Sequence, residues 1–247
     1  MSPNYAVVIP ARYKSTRLPG KPLLRIRDKE MIVRTWERTV EAVDPERVWV
    51  ATEDERIKEV AERAGAQVAM TGEACLTGTD RLYEFALQHA DVDIVINVQG
   101  DEPIIDPDDI RTMVSRACAD PDTILNGYAR IADEAEWRSR AVPKVVFDQD
   151  KKMKYMSRAP IPGNKADTFM GGWKQICIYS FPVEKLRAFG EQGRKTPLEE
   201  IEDIEILRFA ELGYDIQMVE LSGRSLAVDT FDDVGKVEAF LKENGLP

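Results

Sequence analysis

Arg12, Lys14, Arg17 and Lys21 stand within ten residues of one another in a chain whose formal charge is -10. They lie in VVIPARYKSTRLPGKPL, Val7 to Leu23, where an apolar stretch suited to a buried strand gives way to a loop framed by Pro10, Pro19 and Gly20. Arginine grips phosphate oxygens with a planar fork, and lysine offers a point charge. A triphosphate carries about four negative charges, and three or four cations on one loop match it. A loop between a strand and a helix is also where open parallel sheets bind ligands. Neither the Walker A pattern nor GxGxxG is present. A solvated loop whose cations pair with the acidic surface would read the same way, but the density of charge inside a Pro/Gly frame favours phosphates.

Two carboxylates could complete such a site. INVQGDEP places Asp101 and Glu102 just beyond an apolar strand, and LAVDTFDD places Asp229 after another apolar stretch. Both acids follow segments that should open towards the same sheet edge. Two convergent carboxylates are a minimal Mg2+ site, with phosphate oxygens and waters filling the octahedron. The alternatives are a turn started by Asp101 and a helix N-cap at Asp229, although Asp232, directly against the last helix, is the better candidate cap.

Other chemistries lack the residues they need. A single histidine, His89, excludes a His-based triad or a multi-histidine metal centre. Cys75, Cys118 and Cys177 are odd in number and form no CxxC pair, which speaks against zinc and disulfide scaffolds and for isolated thiols in a reducing cytosol. A pI near 4.9 argues against nucleic acid or a membrane surface as partner. The N-terminal MSPNYAVVIP has no charged and apolar leader pattern, and no run is long enough to span a bilayer, so a cytoplasmic protein is expected.

The elements that must position these residues follow from periodicity. Strands are expected at Tyr5–Ile9, Val48–Ala51, QVAM and DIVINVQG, the last buried on both faces. Helices are expected at Met31–Val43, Asp54–Ala64, Thr79–Ala90 and Asp106–Ala119. This alternation implies an α/β fold with a mostly parallel central sheet and helices on both faces. Beyond about residue 123 the pattern turns to strands at TILNGYARI, KVVFD, KMKYMS and QICIYSF, then helices near Val183–Phe189 and Pro197–Leu212, a strand DIQMVEL and a helix Asp232–Asn244. One domain with an inserted β-rich lobe fits better than two independent domains.

IPARYKSTRLPGKPL, MTGEACLTGTDRL, VINVQGDEP, YMSRAPIP, ICIY, TPLEEIEDIEILR and AVDTFDD resemble, in order and spacing, the 3-deoxy-manno-octulosonate (Kdo) cytidylyltransferases, over essentially the whole chain. The resemblance implies a single nucleotidyltransferase domain over 1–247. Its nucleotide-binding part would be about 1–120 and 215–247, and its sugar-binding and dimerisation lobe about 121–214, in a homodimer. It implies transfer of a cytidylyl group from CTP to an acidic sugar, with pyrophosphate released, for bacterial surface polysaccharide. By the same likeness Ala11, Arg12, Lys21, Thr79, Arg81 and Gln99 bind nucleotide, and Arg12, Arg17 and Lys21 hold the triphosphate. Asp101 and Asp229 bind Mg2+, and Arg158, Gln175, Tyr179 and Glu205 form the sugar pocket. Two positions depart from the family pattern: Gln175 replaces a histidine and Ile206 a glutamine, both expected in that pocket. A different acidic sugar, an amino variant of Kdo or a nonulosonic acid, is therefore an alternative. A sugar-nucleotide glycosyltransferase fits less well, because GDEP is not a DxD motif. A non-catalytic nucleotide binder would not need both metal acids.

Overall fold

Branched apolar residues in short runs build the centre of the molecule. The computed structural model describes residues 3–14 and 18–246. Strands β1 (Tyr5–Ala11), β4 (Val48–Thr52), β5 (Gln67–Met70) and β6 (Ile94–Val98) pair in parallel, in the order β6-β1-β4-β5. Every residue of β6 is buried, as its uninterrupted IVINV requires of a strand covered on both faces. A two-residue hairpin, β2 (Arg25–Ile26) and β3 (Lys29–Glu30), leads from the first loop into the first helix.

Helices cover both faces. α1 (Met31–Val40), α2 (Glu55–Ala64) and α4 (Pro107–Ala119) bury Ile32, Ile57, Ala61, Ile110 and Met113 against one side of the sheet. On the other side α3 (Gly78–Gln88), α6 (Val183–Gly190) and α8 (Ile206–Glu211) bury Leu82, Phe85, Leu186, Phe189, Leu207 and Phe209. Each of these side chains larger than alanine contributes about 1.5–3 kcal/mol on leaving water, which sets the register of the sheet. α5 (Glu134–Arg138), which the periodicity did not suggest, is a short helix capped by Asp133.

The second half of the chain extends the same sheet. β7 (Ile124–Arg130) and β11 (Ile216–Glu220) run parallel to each other. β10 (Trp173–Pro182) runs antiparallel to both β7 and β6, giving the order β11-β7-β10-β6. Only the hairpin of β8 (Lys144–Phe147) and β9 (Met153–Ser157) leaves this path, from the start of β10. Because β10 is reversed, β11 ends at the same edge as β1 and β6. Segments far apart in sequence therefore open on one side.

Two expectations are corrected. The helix read over Pro197–Leu212 is two, α7 (Pro197–Glu202) and α8, because Asp203 takes a left-handed φ of 52°. The last helix, α9 (Phe231–Glu243), is capped by Thr230 in a reciprocal box with Asp233, not by Asp232. Among the described residues no helix is long and apolar enough to cross a membrane.

Candidate active site

The edge where β1, β6 and β11 end carries a cleft of about 600 Å3. β1 delivers Ala11 and Arg12 to its wall. The chain then turns back through Gly20, whose amide donates to the Tyr13 carbonyl at 2.9 Å and whose φ of 70° suits glycine. A Cβ there would come within 3.1 Å of the Tyr13 ring. This return places Lys21 in the cleft. Of the other loop cations, Arg12 is exposed on the wall, Lys14 points out to pair with Glu73 at 3.0 Å, and Arg17 lies outside the described residues.

Asp101 and Asp229 meet at Lys21. The ammonium donates to Asp101 Oδ2 at 2.7 Å and to Asp229 Oδ1 at 3.0 Å. Burial lowers the pKa of Lys21, but the two carboxylates outweigh it and raise it. The carboxylate positions rest on backbone. Gly100 lets β6 approach β1 so closely that a Cβ would sit 2.7 Å from the Pro10 carbonyl. The Val228 amide donates to the Asp101 carbonyl at 2.9 Å, and Ser222 donates to Asp109 from its amide at 2.8 Å and its hydroxyl at 2.7 Å. Ser225 Oγ donates to Glu102. Thr230 and Asp233 take over helix capping, which leaves the Asp229 carboxylate to the cleft.

Glu102 is a wall residue to which sequence reasoning assigned no role. It is buried beside Asp101, and burial, with Asp101 adding, pushes its carboxyl up to about 8. Its signal was its place in GDEP, directly after Asp101 at the end of a buried strand. Cys177, Lys195 and Asp203 are also wall residues not anticipated. Cys177 enters through an irregularity in the β10–β7 register between Ile176 and Tyr179, which no short-range pattern announces.

The cleft is also lined by Arg158, Gln175, Tyr179 and Glu205. Arg158 donates from its guanidinium to the carbonyls of Glu202 at 2.7 Å, Arg140 at 3.1 Å and Asp203 at 2.9 Å. Gln175 Nε2 donates to Asn126 Oδ1 at 3.1 Å. Tyr179 is nearly buried, and burial, reinforced by Cys177 and Glu205, raises its pKa well above the usual phenol value. The break at Asp203 turns Glu205 back on α3, where it accepts from the amides of Gly78 at 3.2 Å and Thr79 at 2.9 Å and from the Thr79 hydroxyl at 2.6 Å.

Of the remaining nucleotide candidates, Ala11 and Gln99 line the wall. Arg81 lines it too, while pairing with Glu53 at 2.8 Å and donating to Thr71 at 2.6 Å. Thr79 is buried behind Leu76, Thr77 and Gly78, which form the surface at that point. Ile206 is corrected: it lies 1% exposed in the core packed by α8, not on the cleft wall.

The comparisons fit this arrangement. The cytidylyltransferase family profile matches residues 6–217. The chain belongs to the cytidylyltransferase family. This cytidylyltransferase is 41% identical to the 3-deoxy-manno-octulosonate cytidylyltransferase of Syntrophotalea carbinolica, over 97% of this chain and 99% of that one. It is 40% identical to the 8-amino-3,8-dideoxy-manno-octulosonate cytidylyltransferase of Shewanella pealeana, over 96% and 98%. Among solved structures, a CMP:2-keto-3-deoxy-manno-octonic acid synthetase complexed with CTP superposes with a TM-score of 0.88 at 34% identity, covering 98% of this chain and 99% of that one. The cytidylyltransferase is thus a nucleotidyltransferase enzyme with a mostly parallel α/β fold.

Proposed function

We propose that this enzyme transfers the cytidylyl group of CTP to 3-deoxy-manno-octulosonate or its 8-amino-3,8-dideoxy counterpart, giving the CMP-sugar and pyrophosphate. One observation carries the reading. Lys21, Asp101 and Asp229 converge on the wall of the cleft, and Arg158, Gln175 and Tyr179 line the same cleft. Phosphate-handling and sugar-handling groups then share one space, as joining two substrates requires.

In this reading the anomeric hydroxyl of the sugar acid attacks the α-phosphorus. The bond to the bridging oxygen breaks, pyrophosphate leaves with that electron pair, and the hydroxyl proton passes to solvent. No protein nucleophile is needed. Arg12 and Lys21 stabilise charge that builds on the phosphates, and Arg17 joins them by resemblance. Arg158, a fork matched to a planar carboxylate, holds the acid group of the sugar.

Asp101 and Asp229 suit Mg2+. Their carboxylates share one cationic partner, and Mg2+ takes one or two carboxylates while phosphates and waters complete its shell. Bound there, Mg2+ would neutralise phosphate charge and lower the pKa of the attacking hydroxyl. No cluster of three acidic, histidine or cysteine ligands occurs among the described residues, so the metal depends on the nucleotide for the rest of its shell. The resemblance extends the proposal to a cytoplasmic homodimer serving surface polysaccharide synthesis, and light scattering in solution tests the dimer.

The deciding experiment is a pyrophosphate-release assay with CTP, ATP, GTP and UTP against both octulosonates and a nonulosonic acid. Release is expected with CTP and the octulosonates. Preference for another nucleotide, or for the nonulosonic acid, overturns the reading.

A further inference from the structure

Among the described residues no carboxylate pairs with the buried ammonium of Lys144. It opens β8 and is fully shielded from solvent, yet its ammonium donates to three backbone carbonyls, Ser139, Val142 and Arg158, each at 2.7 Å. Burying a charge with only dipoles for partners is costly unless every N–H is used, and here all three are. What those carbonyls belong to gives the arrangement its meaning. Ser139 and Val142 bracket the loop that puts Ala141 and Pro143 on the cleft wall. The third carbonyl is that of Arg158, whose guanidinium reaches back to the Arg140 carbonyl in the same loop at 3.1 Å. The Pro143 carbonyl in turn accepts from the amide of Gln175 at 3.0 Å. One ammonium therefore ties together the loop and the arginine that form the sugar-facing wall.

We infer that Lys144 is a positioning residue for the acidic sugar, fixing Arg158 and the 139–143 loop in the geometry that receives the sugar carboxylate. This rests on the proposed function, since it takes the Arg158 end of the cleft as the sugar site. Lys144 does not line the cleft and touches no substrate. It acts through Arg158.

The charge state of Lys144 should matter. A protonated amine satisfies three carbonyls. A neutral amine has two N–H groups and a lone pair, and the lone pair must face the third carbonyl. The groups around it are unbalanced. Arg140 and Arg158 disfavour its charge, and Glu202, which accepts from Ser157, Tyr155 and the Arg158 amide, favours it. Lys174, opposite Lys144 on β10, is already paired with Glu136 at 2.5 Å. Burial first, then the two arginines, lowers the Lys144 ammonium to about 8.

The test is a split of kinetic constants by substrate and pH. In the wild type, KM for the sugar acid should rise as pH passes through about 8 while KM for CTP does not follow it. The midpoint should match the titration of Lys144 read by 13Cε NMR, assigned by the signal missing from Lys144→Met. Lys144→Met should raise KM for the sugar acid roughly tenfold at pH 7, leave KM for CTP within about twofold, and remove the alkaline rise. Arg140→Gln, which deletes a neighbouring cation and leaves the backbone intact, should move the midpoint to higher pH and keeps the test open if Lys144→Met does not fold. A sugar KM flat from pH 7 to 9.5, or an equal rise in both KM values in Lys144→Met, overturns the inference. Failure of the proposed function would look different: no pyrophosphate release from any octulosonate at pH 7, whatever the state of Lys144.

Discussion

The two ends of the cleft hold their charged groups in opposite ways. At the phosphate end, Lys21, Asp101 and Asp229 are one another's partners, and the two carboxylates are 29% and 33% exposed. At the sugar end, Lys144 is held by backbone carbonyls, and Arg158 mainly so, with the Asp203 carboxylate more distant at 3.9 Å. Side chains paired with each other can exchange partners when a cation or phosphates arrive, because both charges find new counterparts. Side chains tied to carbonyls have no such exchange available and form a preset wall. Under the proposed function the first end would be rearranged by its ligand, and the second would select one.

The sharpest way to break this contrast is to remove a charge from the exchangeable end. Asp101→Asn and Asp229→Asn are each expected to lower kcat/KM at least about a hundredfold, and chelation of divalent cations should do the same to the unaltered enzyme. Near-normal turnover of either variant at saturating Mg2+ would remove the metal assignment. Lys21→Ala should come next, with a loss of about a hundredfold or less in kcat and a modest change in KM for CTP. Under the proposed function its ammonium would serve the charge that builds during reaction, with Arg12 left to bind the nucleotide. An unchanged kcat would make the Lys21 contacts purely structural.

The phosphate end was also the legible end. Asp101 stands just beyond β6, the reversal of β10 returns β11 to the same edge, and the irregular segment after Glu220, tied by the Val228 amide to the Asp101 carbonyl, brings Asp229 alongside. Periodicity places the strands, and the Pro/Gly frame places Lys21. The sugar end depends on irregularities that periodicity cannot carry. The register change before Tyr179 brings in Cys177, and the left-handed Asp203 divides a helix that the apolar spacing reads as continuous. That division directs Glu205 to α3 and sends the neighbouring Ile206 into the core. Lys144 was unreadable for a further reason. Within KVVFD it is a strand-end lysine like any other, and only the fold supplies its three carbonyls.

A smaller effect sharpens the selecting end. Gln175 uses one amide N–H on Asn126, and its side chain lines the cleft. Gln175→His is expected to raise kcat/KM for 3-deoxy-manno-octulosonate relative to the 8-amino acid by up to about tenfold, the value of one hydrogen bond gained or lost. KM for CTP should stay as it was. If the ratio of the two sugars does not move, position 175 does not read the sugar, and selection lies with Arg158 and its supports.

The smallest effect concerns how the exchangeable end stays in place. Asp233 accepts from the amides of Asp229 at 3.2 Å and Thr230 at 2.9 Å, from the Thr230 hydroxyl and from Lys236, so it anchors the backbone that carries Asp229. Burial works to raise its pKa, but these hydrogen bonds outweigh it and bring it down to about 2 from 3.8. The folded chain therefore binds this proton less readily than the unfolded chain. The stabilisation is complete above the unfolded value and disappears as pH falls through the folded one. The melting temperature of Asp233→Asn should lie below that of the wild type at neutral pH, and the gap should narrow as pH drops from about 5 towards 3. A gap that stayed constant over that range would mean the carboxylate charge contributes nothing to holding the turn that carries Asp229.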